Sequence, residues 1–359
     1  MSLSSEVKTK HMTELAAYRR KLYKAPKLKS LFLELTISCN ERCRHCGSSC
    51  GDIKPTDELT TAEICNFLDY CAKHINTSET RLCITGGEPL LREDFFEIMS
   101  YAKKLGFSWG MTSNGILIDD ETAHRLAAAG MKTVSISIDG LPETHDWFRQ
   151  RKDSCEAAMN GVRALVKRPE FAHVQVTTVV HKRSLSELSA LYDILSRENL
   201  GSWRVINIEP IGRAKQQPEL LLDAEDYKKL FRFIYEKRTA GGMEVTYGCS
   251  HYLGRDWERE VRRWYFLCNA GIYTASVMYN GDIGGCLDIE RRPELIQGNI
   301  RKDDFMEVWQ NRFRCYRDES RLSDECRRCS EAEFCAGDAF HTWNFNENKP
   351  DLCFKGILF

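Results

Sequence analysis

Three cysteines near the start of the chain constrain its fold and chemistry more than any other feature. They are Cys39, Cys43 and Cys46, in the run CNERCRHC. The run follows the strand-like stretch 31–38, so we expect it to form a loop at the C-terminal end of a strand. Three thiolates on a short loop can hold three irons of a cubane cluster and leave the fourth iron free to bind a small molecule. The alternative is a zinc loop, although a structural zinc site normally has a fourth protein ligand.

The bulk composition excludes several classes of function. The 359 residues are 42% hydrophobic and 29% charged, with a formal net charge of −1. This composition is typical of a folded protein with room for two domains, and the balanced charge gives no electrostatic reason to expect nucleic acid binding. No apolar run is long enough to cross a membrane, and none resembles a signal peptide. We therefore expect a cytoplasmic protein with no nucleic acid or membrane partner.

The cysteine count supports a reducing compartment and bound metal. The chain has 16 cysteines, many at short spacings, which in such a compartment indicate metal or cluster ligands rather than disulfides. Four isolated cysteines in apolar stretches are instead predicted to be small buried core residues. They are Cys65, Cys71, Cys83 and Cys155.

Strand and helix patterns alternate after a short amphipathic helix predicted at 14–23. The predicted strands are 31–38, 80–85, 108–113, 132–139, 174–180 and 203–209. The predicted helices between them are 61–73, 93–105, 120–129, 155–167 and 185–198, and a further helix is predicted at 226–237. This alternation predicts an α/β fold with a parallel sheet and right-handed crossovers.

A second motif, TGGEP at 85–89, follows the second predicted strand. A CxxxCxxC loop after one strand and this motif after the next together resemble the radical S-adenosylmethionine (SAM) superfamily. The resemblance implies a partial (β/α)6 TIM-like barrel and a [4Fe-4S] cluster whose open iron binds SAM. It also implies reductive cleavage of SAM to a 5′-deoxyadenosyl radical, with an electron donor such as flavodoxin or ferredoxin.

In that family, residues at successive strand ends hold SAM. The matching positions here are His45, Gly86, Gly87, Glu88, Ser113, Asn114, Ser137, Asp139 and Arg149. Glycine allows close backbone approach to a ligand, and the guanidinium fork of Arg149 suits a carboxylate; a surface ion pair is the alternative for Arg149. A fourth ligand at Cys50 would close the cluster, so we interpret Cys50 as a loop thiol.

A second set of cysteines lies in the C-terminal part of the chain. It comprises Cys268, Cys286, Cys326, Cys329, Cys335 and Cys353. Their spacing resembles the SPASM extension of radical SAM enzymes, which usually holds two further iron–sulfur clusters. The resemblance assigns the last four cysteines to an outer cluster, and a zinc knuckle is the alternative.

The inner cluster departs from the family pattern, because Ala339 stands where another cysteine is expected. Cys268 and Cys286 remain, and Cys249 is a candidate third ligand. Oxygen or imidazole can replace thiolate on iron. The candidates for a fourth ligand are Cys315, Asp338 and His341. A smaller cluster, an open iron or no inner cluster are the alternatives.

These patterns divide the chain into four predicted regions. Residues 1–28 form a helical extension, 29–222 the partial barrel, 223–267 a helical linker region and 268–359 the auxiliary-cluster domain.

SPASM enzymes mostly modify peptides or proteins, so the resemblance implies a peptide or protein substrate that is crosslinked or oxidised after hydrogen abstraction. The alternatives are a radical SAM dehydrogenase acting on a small molecule in cofactor biosynthesis and a non-catalytic iron–sulfur electron carrier. Sulfatase maturation is not favoured, because Leu287 follows Cys286 where those enzymes have an aspartate, and Asp288 comes one residue later.

Several polar side chains near the predicted strand ends and cluster ligands can orient or deprotonate a substrate. The candidates are Glu209, Arg213, Asp338 and His341. Glu209 and Arg213 are expected to face the cavity, and the pattern assigns no general base.

Overall fold

The computed structural model of the chain describes residues 3–52, 56–248, 251–319 and 321–359. Its α-helices are α1 (Ser5–Lys24), α2 (Thr61–His74), α3 (Phe95–Lys104), α4 (Asp120–Ala128), α5 (Pro142–Arg149), α6 (Ser154–Val166), α7 (Leu188–Leu195), α8 (Ala224–Ala240), α9 (Gly254–Trp257), α10 (Phe305–Asn311), α11 (Asp324–Arg327) and α12 (Ala332–Cys335). Its strands are β1 (Ser30–Glu34), β2 (Arg81–Thr85), β3 (Trp109–Ser113), β4 (Met131–Ser137), β5 (His173–Val180), β6 (Ser202–Asn207), β7 (Val245–Tyr247), β8 (Thr274–Val277), β9 (Asp282–Gly284), β10 (Gly298–Asn299), β11 (Trp343–Asn344) and β12 (Lys349–Pro350).

Ten of these strands form one sheet, in the order β10-β9-β8-β1-β2-β3-β4-β5-β6-β7. Strands β8 and β1 to β7 are parallel to their neighbours, and β9 and β10 join one edge in the antiparallel sense. The parallel strands and their crossover helices confirm the predicted α/β class and the partial TIM-like barrel. The barrel is open, because β7 and β10 end the strand order in the described part of the chain.

Helix α2 illustrates why the crossover helices pack on this sheet. Its buried residues Ile64, Phe67, Leu68 and Cys71 recur at helical spacing and form one apolar face. A capping box starts the helix: the Thr60 side chain accepts from the Glu63 amide, and the Glu63 side chain accepts from the Thr60 amide. Burial of the apolar face and satisfaction of the first amides together select a helix here.

Two of the four predicted core cysteines are buried, and two are not. Cys71 and Cys155 are buried, whereas Cys65 and Cys83 are only half-buried. On β2 the neighbours of Cys83, Leu82 and Ile84, are fully buried. Because side chains alternate along a strand, Cys83 lies on the other face of the sheet, toward the open interior of the barrel.

The parallel alternation continues further than the sequence predicts. Helix α8 leads into β7, which pairs with β6 in the parallel sense, so the region predicted as a helical linker adds a seventh strand to the barrel. The following cysteine-rich part joins the other side of the same sheet, because β8 pairs with β1 from Ser30↔Thr274 to Leu33↔Val277. Helix α5 is a further element that the sequence patterns did not predict, although Pro142 at its first turn is a helix-start signal.

Helix α1 packs against the C-terminal part of the chain. The Arg19 guanidinium donates to the carbonyls of Glu333 and Phe334 at 2.7 and 3.1 Å. Near the other end of the helix, Lys8 Nζ donates to the Asp256 carbonyl at 2.7 Å. Within the described residues, no helix combines the length and apolar character that a membrane crossing requires.

Candidate active site

The three-cysteine loop joins β1 to α2 at the C-terminal edge of the parallel strands. Cys43 is buried, and Cys39 and Cys46 are half-buried. Burial raises the pKa of Cys39 to about 11 and raises the pKa of Cys43 further; the charges of the neighbouring thiolates add to both shifts. The three sulfur atoms therefore lie close enough to repel one another as thiolates. A cationic iron centre would relieve both the burial penalty and this repulsion, so the donor set fits a bound cluster.

Cys50 lies beside this donor set. Its amide donates to Cys46 Sγ at 3.4 Å, and its own Sγ lies 3.9 Å from the carbonyl oxygen of Gly86. A hydrogen bond with the Cys50 thiol lowers the pKa of Cys46 to about 6. Cys50 is therefore a hydrogen-bond neighbour of Cys46, a predicted cluster ligand.

The TGGEP turn supports the loop from one side. A Cβ atom on Gly87 would lie 2.0 Å from the Ser38 carbonyl oxygen, and one on Gly86 would lie 2.4 Å from the Thr36 carbonyl oxygen. The amide of Gly87 donates to the Thr36 carbonyl at 2.8 Å. Both glycines are thus required by close packing of two backbones, independently of any ligand.

Arg213 supports the loop through contacts with its backbone and with Asp52. Its Nε donates to the Cys43 carbonyl at 2.7 Å, its Nη1 donates to the Cys50 carbonyl at 3.0 Å, and its Nη1 pairs with Asp52 at 2.8 Å. The preceding Gly212 has a φ of +52°, and a Cβ there would lie 2.2 Å from the Cys46 carbonyl oxygen. The expectation that Arg213 faces the cavity is therefore corrected: Arg213 positions the cysteine loop.

Arg149 lies in a buried ion-pair network. Its Nε donates to Asp139 at 2.7 Å and its Nη1 to Glu41 at 3.0 Å. Although burial raises the pKa of Asp139, the charge of Arg149 lowers it to about 2. Arg149 does form ion pairs, but they are buried, because its side chain is only 8% exposed. The alternative of a surface ion pair is therefore wrong. A contact between Arg149 and SAM stays a prediction.

The predicted residues after β2 and β3 bond to one another. The buried Glu88 carboxylate accepts from the Ser113 hydroxyl at 3.0 Å and from the Asn114 amide at 2.9 Å. Burial raises the pKa of Glu88 to about 7. Asn114 Nδ2 in turn donates to Asn40 Oδ1 in the cysteine loop at 2.6 Å. Glu88 and Asn114 thereby connect two strand ends to the loop. Ser137 is half-buried at the end of β4, the strand that pairs with β3.

A stack of neutral aromatic rings begins at His45 in the loop. His45 stacks on Phe148 with ring centroids 4.3 Å apart, and Phe148 stacks on His181 at 4.1 Å. Burial lowers the pKa of His45 to about 3 and that of His181 to about 4. Sequence analysis did not identify His181, although its place directly after β5 puts it at the same strand-end level as the other site residues.

The predicted polar residues further along the chain form a second buried group. Glu209 Oε1 lies 2.6 Å from His251 Nε2 and 4.0 Å from His341 Nε2. His251 Nδ1 lies 2.9 Å from Asp338 Oδ2. Burial lowers the pKa of His251, but Glu209 and Asp338 raise it to about 10. Sequence analysis did not identify His251, since no local motif marks it.

Comparisons with known proteins identify this arrangement. The Radical SAM superfamily profile matches residues 33–195, and the SPASM iron–sulfur cluster-binding domain profile matches residues 268–330. The AdoMet-dependent heme synthase of Methanosarcina barkeri is 30% identical over 326 residues, which cover 87% of this chain and 91% of that protein. The chain belongs to the radical SAM superfamily.

Two further similarities lie within the same superfamily. The mycofactocin maturase MftC of Mycobacterium tuberculosis (strain ATCC 25618 / H37Rv) is 29% identical over 314 residues, which cover 85% of this chain and 76% of that protein. The crystal structure of Streptococcus suis SuiB bound to S-adenosylmethionine has a TM-score of 0.69 at 16% identity, covering 87% of this chain and 73% of SuiB. The SuiB similarity supports the fold.

This radical SAM protein therefore uses a [4Fe-4S] cluster and SAM, with further iron–sulfur binding in its SPASM region. Several SPASM thiols lie near one another, and their assignment to an outer cluster stays a prediction. Burial raises the pKa of Cys353, and the charges of Cys326 and Cys329 raise it further. Burial likewise raises the pKa of Cys335, with added contributions from Asp338 and Cys353.

The inner set of the radical SAM protein is less complete. Burial raises the pKa of Cys286, and the charge of Cys268 adds to the shift, so these two thiols are neighbours. Cys249 lies outside the described residues. Asp338 and His341, both candidates for a fourth ligand, contact His251 and Glu209, and the charge of Asp338 also raises the pKa of Cys268. The ligand set of an inner cluster therefore stays a prediction.

Proposed function

We propose that this radical SAM enzyme abstracts hydrogen from a tetrapyrrole of the heme type. The observation that carries the proposal is the similarity to AdoMet-dependent heme synthases along nearly the whole chain: the relative from Methanosarcina barkeri is covered to 91% of its length. When bound, the cluster and SAM supply the 5′-deoxyadenosyl radical. The chain's own residues hold the cysteine loop and bind the substrate at the barrel mouth.

A surface beside the cysteine loop suits a flat anionic ring. The Arg44 guanidinium lies 4.4 Å from the Trp147 ring and that of Arg183 lies 4.7 Å from it. Trp147 adjoins Phe148 of the neutral aromatic stack, with ring centroids 6.4 Å apart. Phe148 and His181 are fully buried, so a macrocycle with carboxylate side chains would meet the half-buried Trp147 and the two guanidiniums, which would bind its carboxylates.

A peptide or protein substrate, crosslinked or oxidised, is the second candidate. The SPASM resemblance implies this class, and the matched SPASM region at 268–330 favours it. Both candidates need a one-electron donor for the cluster, and we propose flavodoxin or ferredoxin in that role.

The test uses the iron–sulfur-reconstituted chain without oxygen, with SAM and a low-potential reductant. Mass spectrometry quantifies 5′-deoxyadenosine with Fe-coproporphyrin III, with candidate peptides or with neither. This tetrapyrrole is named in the Fe-coproporphyrin III synthase of Methanosarcina barkeri, which is 29% identical to this chain over 203 residues. We expect Fe-coproporphyrin III to accelerate 5′-deoxyadenosine formation and to be consumed, and we expect the Cys39/Cys43/Cys46→Ala variant to form none. Acceleration by a peptide alone would establish the second candidate, and equal formation by the triple variant would refute radical SAM chemistry.

A matched pair of arginine variants tests the binding surface. Arg183→Gln removes a guanidinium stacked on Trp147, so we expect a several-fold higher tetrapyrrole concentration for half-maximal rate. Arg163→Gln removes an exposed arginine that pairs with Glu198 away from the loop at 2.8 Å, so we expect no change. Equal responses of the two variants would remove this surface from the proposal.

A further inference from the structure

The buried group formed by Glu209, His251 and His341 brings together a metal-ligand set that contains no cysteine. One donor atom from each residue can be chosen so that all three lie within 4.8 Å of one another. Ligand atoms on one zinc ion each lie about 2.0–2.2 Å from the metal, which places them about 3–3.5 Å apart. The observed separations of 2.6 and 4.0 Å from Glu209 Oε1 bracket that spacing. From this geometry we propose that Glu209, His251 and His341 bind one divalent first-row transition metal ion, distinct from the iron–sulfur clusters.

Glu209 offers an oxygen that needs a partner. Its side chain is 8% exposed, and its Oε2 is buried without a hydrogen-bond partner among the described residues. A buried carboxylate oxygen with no donor carries a desolvation penalty that a metal ion would offset. Oε1 accepts from Asn207 Nδ2 at 2.7 Å, and a carboxylate can bind an ion through either oxygen or through both.

Asp338 orients the His251 ring in the way that metal-ligating histidines require. The carboxylate accepts from His251 Nδ1 at 2.9 Å and from the Tyr252 amide at 2.9 Å. This contact directs His251 Nε2 toward Glu209, which is the carboxylate–histidine–metal arrangement of many metal sites. Asp338 itself has a φ of +62°, a left-handed conformation that costs free energy in a non-glycine residue and is typical of functional positions.

Two imidazoles and one carboxylate leave coordination positions open. Zinc and non-haem iron sites with this ligand set bind water or substrate at those positions. The ligands come from the loop after β6, from the loop after β7 and from the C-terminal region. A bound ion would therefore join the SPASM region to the barrel and present an open coordination site at the same edge of the barrel as the cysteine loop.

The experiment uses the iron–sulfur-reconstituted chain, so that the cluster cysteines are occupied. The protein is loaded with Zn²⁺ as the probe and dialysed without oxygen, and retained zinc is measured beside iron. We expect one zinc per chain, with nitrogen and oxygen ligands at about 2.0–2.1 Å by zinc X-ray absorption. No retained zinc, or zinc with sulfur ligands at about 2.3 Å, would overturn the proposal; the sulfur result would assign the metal to a cysteine site.

Variants identify the ligands. We expect Glu209→Gln and His341→Gln to weaken zinc binding at least tenfold, and Asp338→Asn to weaken it about 10- to 100-fold through the His251 ring. The matched control is His173→Gln, since His173 is a half-buried barrel histidine bonded to Ser202 at 2.8 Å. Equal zinc affinity in all four variants would overturn the proposal. If a variant loses its iron, the zinc X-ray absorption of the wild-type protein decides the proposal. Neither the absorption measurement nor the zinc affinities depend on the tetrapyrrole assay.

Discussion

The three-cysteine loop and the C-terminal cysteine segment at 323–353 hold their thiols by different means. Around the loop, neighbouring strand ends supply the support: the Gly87 backbone packs on Ser38, and Arg213 bonds to two loop carbonyls. The described part of the segment contains two helices of four residues and two strands of two residues, and Cys353 is exposed. We therefore expect the barrel to hold its predicted cluster ligands without iron, and bound iron to contribute to the folding of the segment.

Removal of iron is expected to produce the largest difference between the two regions. After anaerobic chelation, amides of 323–353 should lose most of their protection from hydrogen exchange, while β1 to β6 should keep theirs, because only the segment lacks an extended backbone ladder. Hydrogen exchange with mass spectrometry measures both regions in one sample. Equal loss of protection in the barrel strands would contradict the comparison.

The next largest effect is expected for Arg149→Ala. The substitution leaves Asp139 and Glu41 buried without their counter-charge, so we expect a loss of about 3–5 kcal/mol in barrel stability. Arg163→Ala breaks an exposed pair with Glu198 on the same barrel, with an expected cost of about 0.2–1 kcal/mol. Urea unfolding followed by tryptophan fluorescence measures both, and similar costs would show that the buried network does not support the loop.

Gly87→Ala tests the backbone packing behind the loop. The new methyl group would lie 2.0 Å from the Ser38 carbonyl oxygen, so we expect a cost of about 1–3 kcal/mol and less iron bound at the loop. In Gly47→Ala the methyl group would meet mainly the flexible end of Ile211 at 3.1 Å, and the expected cost is smaller. Iron content and unfolding midpoints are measured for both variants. A larger loss in Gly47→Ala than in Gly87→Ala would refute the prediction.

The smallest expected difference in stability concerns the helix caps of the two regions. Thr60→Ala removes the cap of α2 in the barrel, with an expected cost of about 1 kcal/mol. Ser323 accepts from the Cys326 amide at 3.2 Å. Cys326 is a predicted iron ligand that bound iron would restrain, so Ser323→Ala should cost less in the iron-loaded protein. Thermal unfolding of the two iron-loaded variants measures both losses of stability. A larger loss for Ser323→Ala than for Thr60→Ala would show that the segment folds without help from iron.

Local sequence patterns predicted much of the barrel. Period-two and helical apolar patterns placed six strands and their crossover helices near the observed bounds, because each element buries one face against the sheet. The cluster loop, the TGGEP turn and the C-terminal cysteines were also identified, since these are short motifs with specific ligand spacing. Helix α5 was not predicted, although Pro142 marked its start.

The amino-acid sequence by itself determined the parallel α/β barrel, the three thiols of the loop and the superfamily, because these depend on residues close together in the chain. Only the tertiary structure decided that β8 pairs with β1, that Arg213 holds the loop rather than facing the cavity, and that His251 lies between Glu209 and Asp338. These features join residues that are distant in sequence, and their contacts form only when the barrel and the C-terminal region pack together.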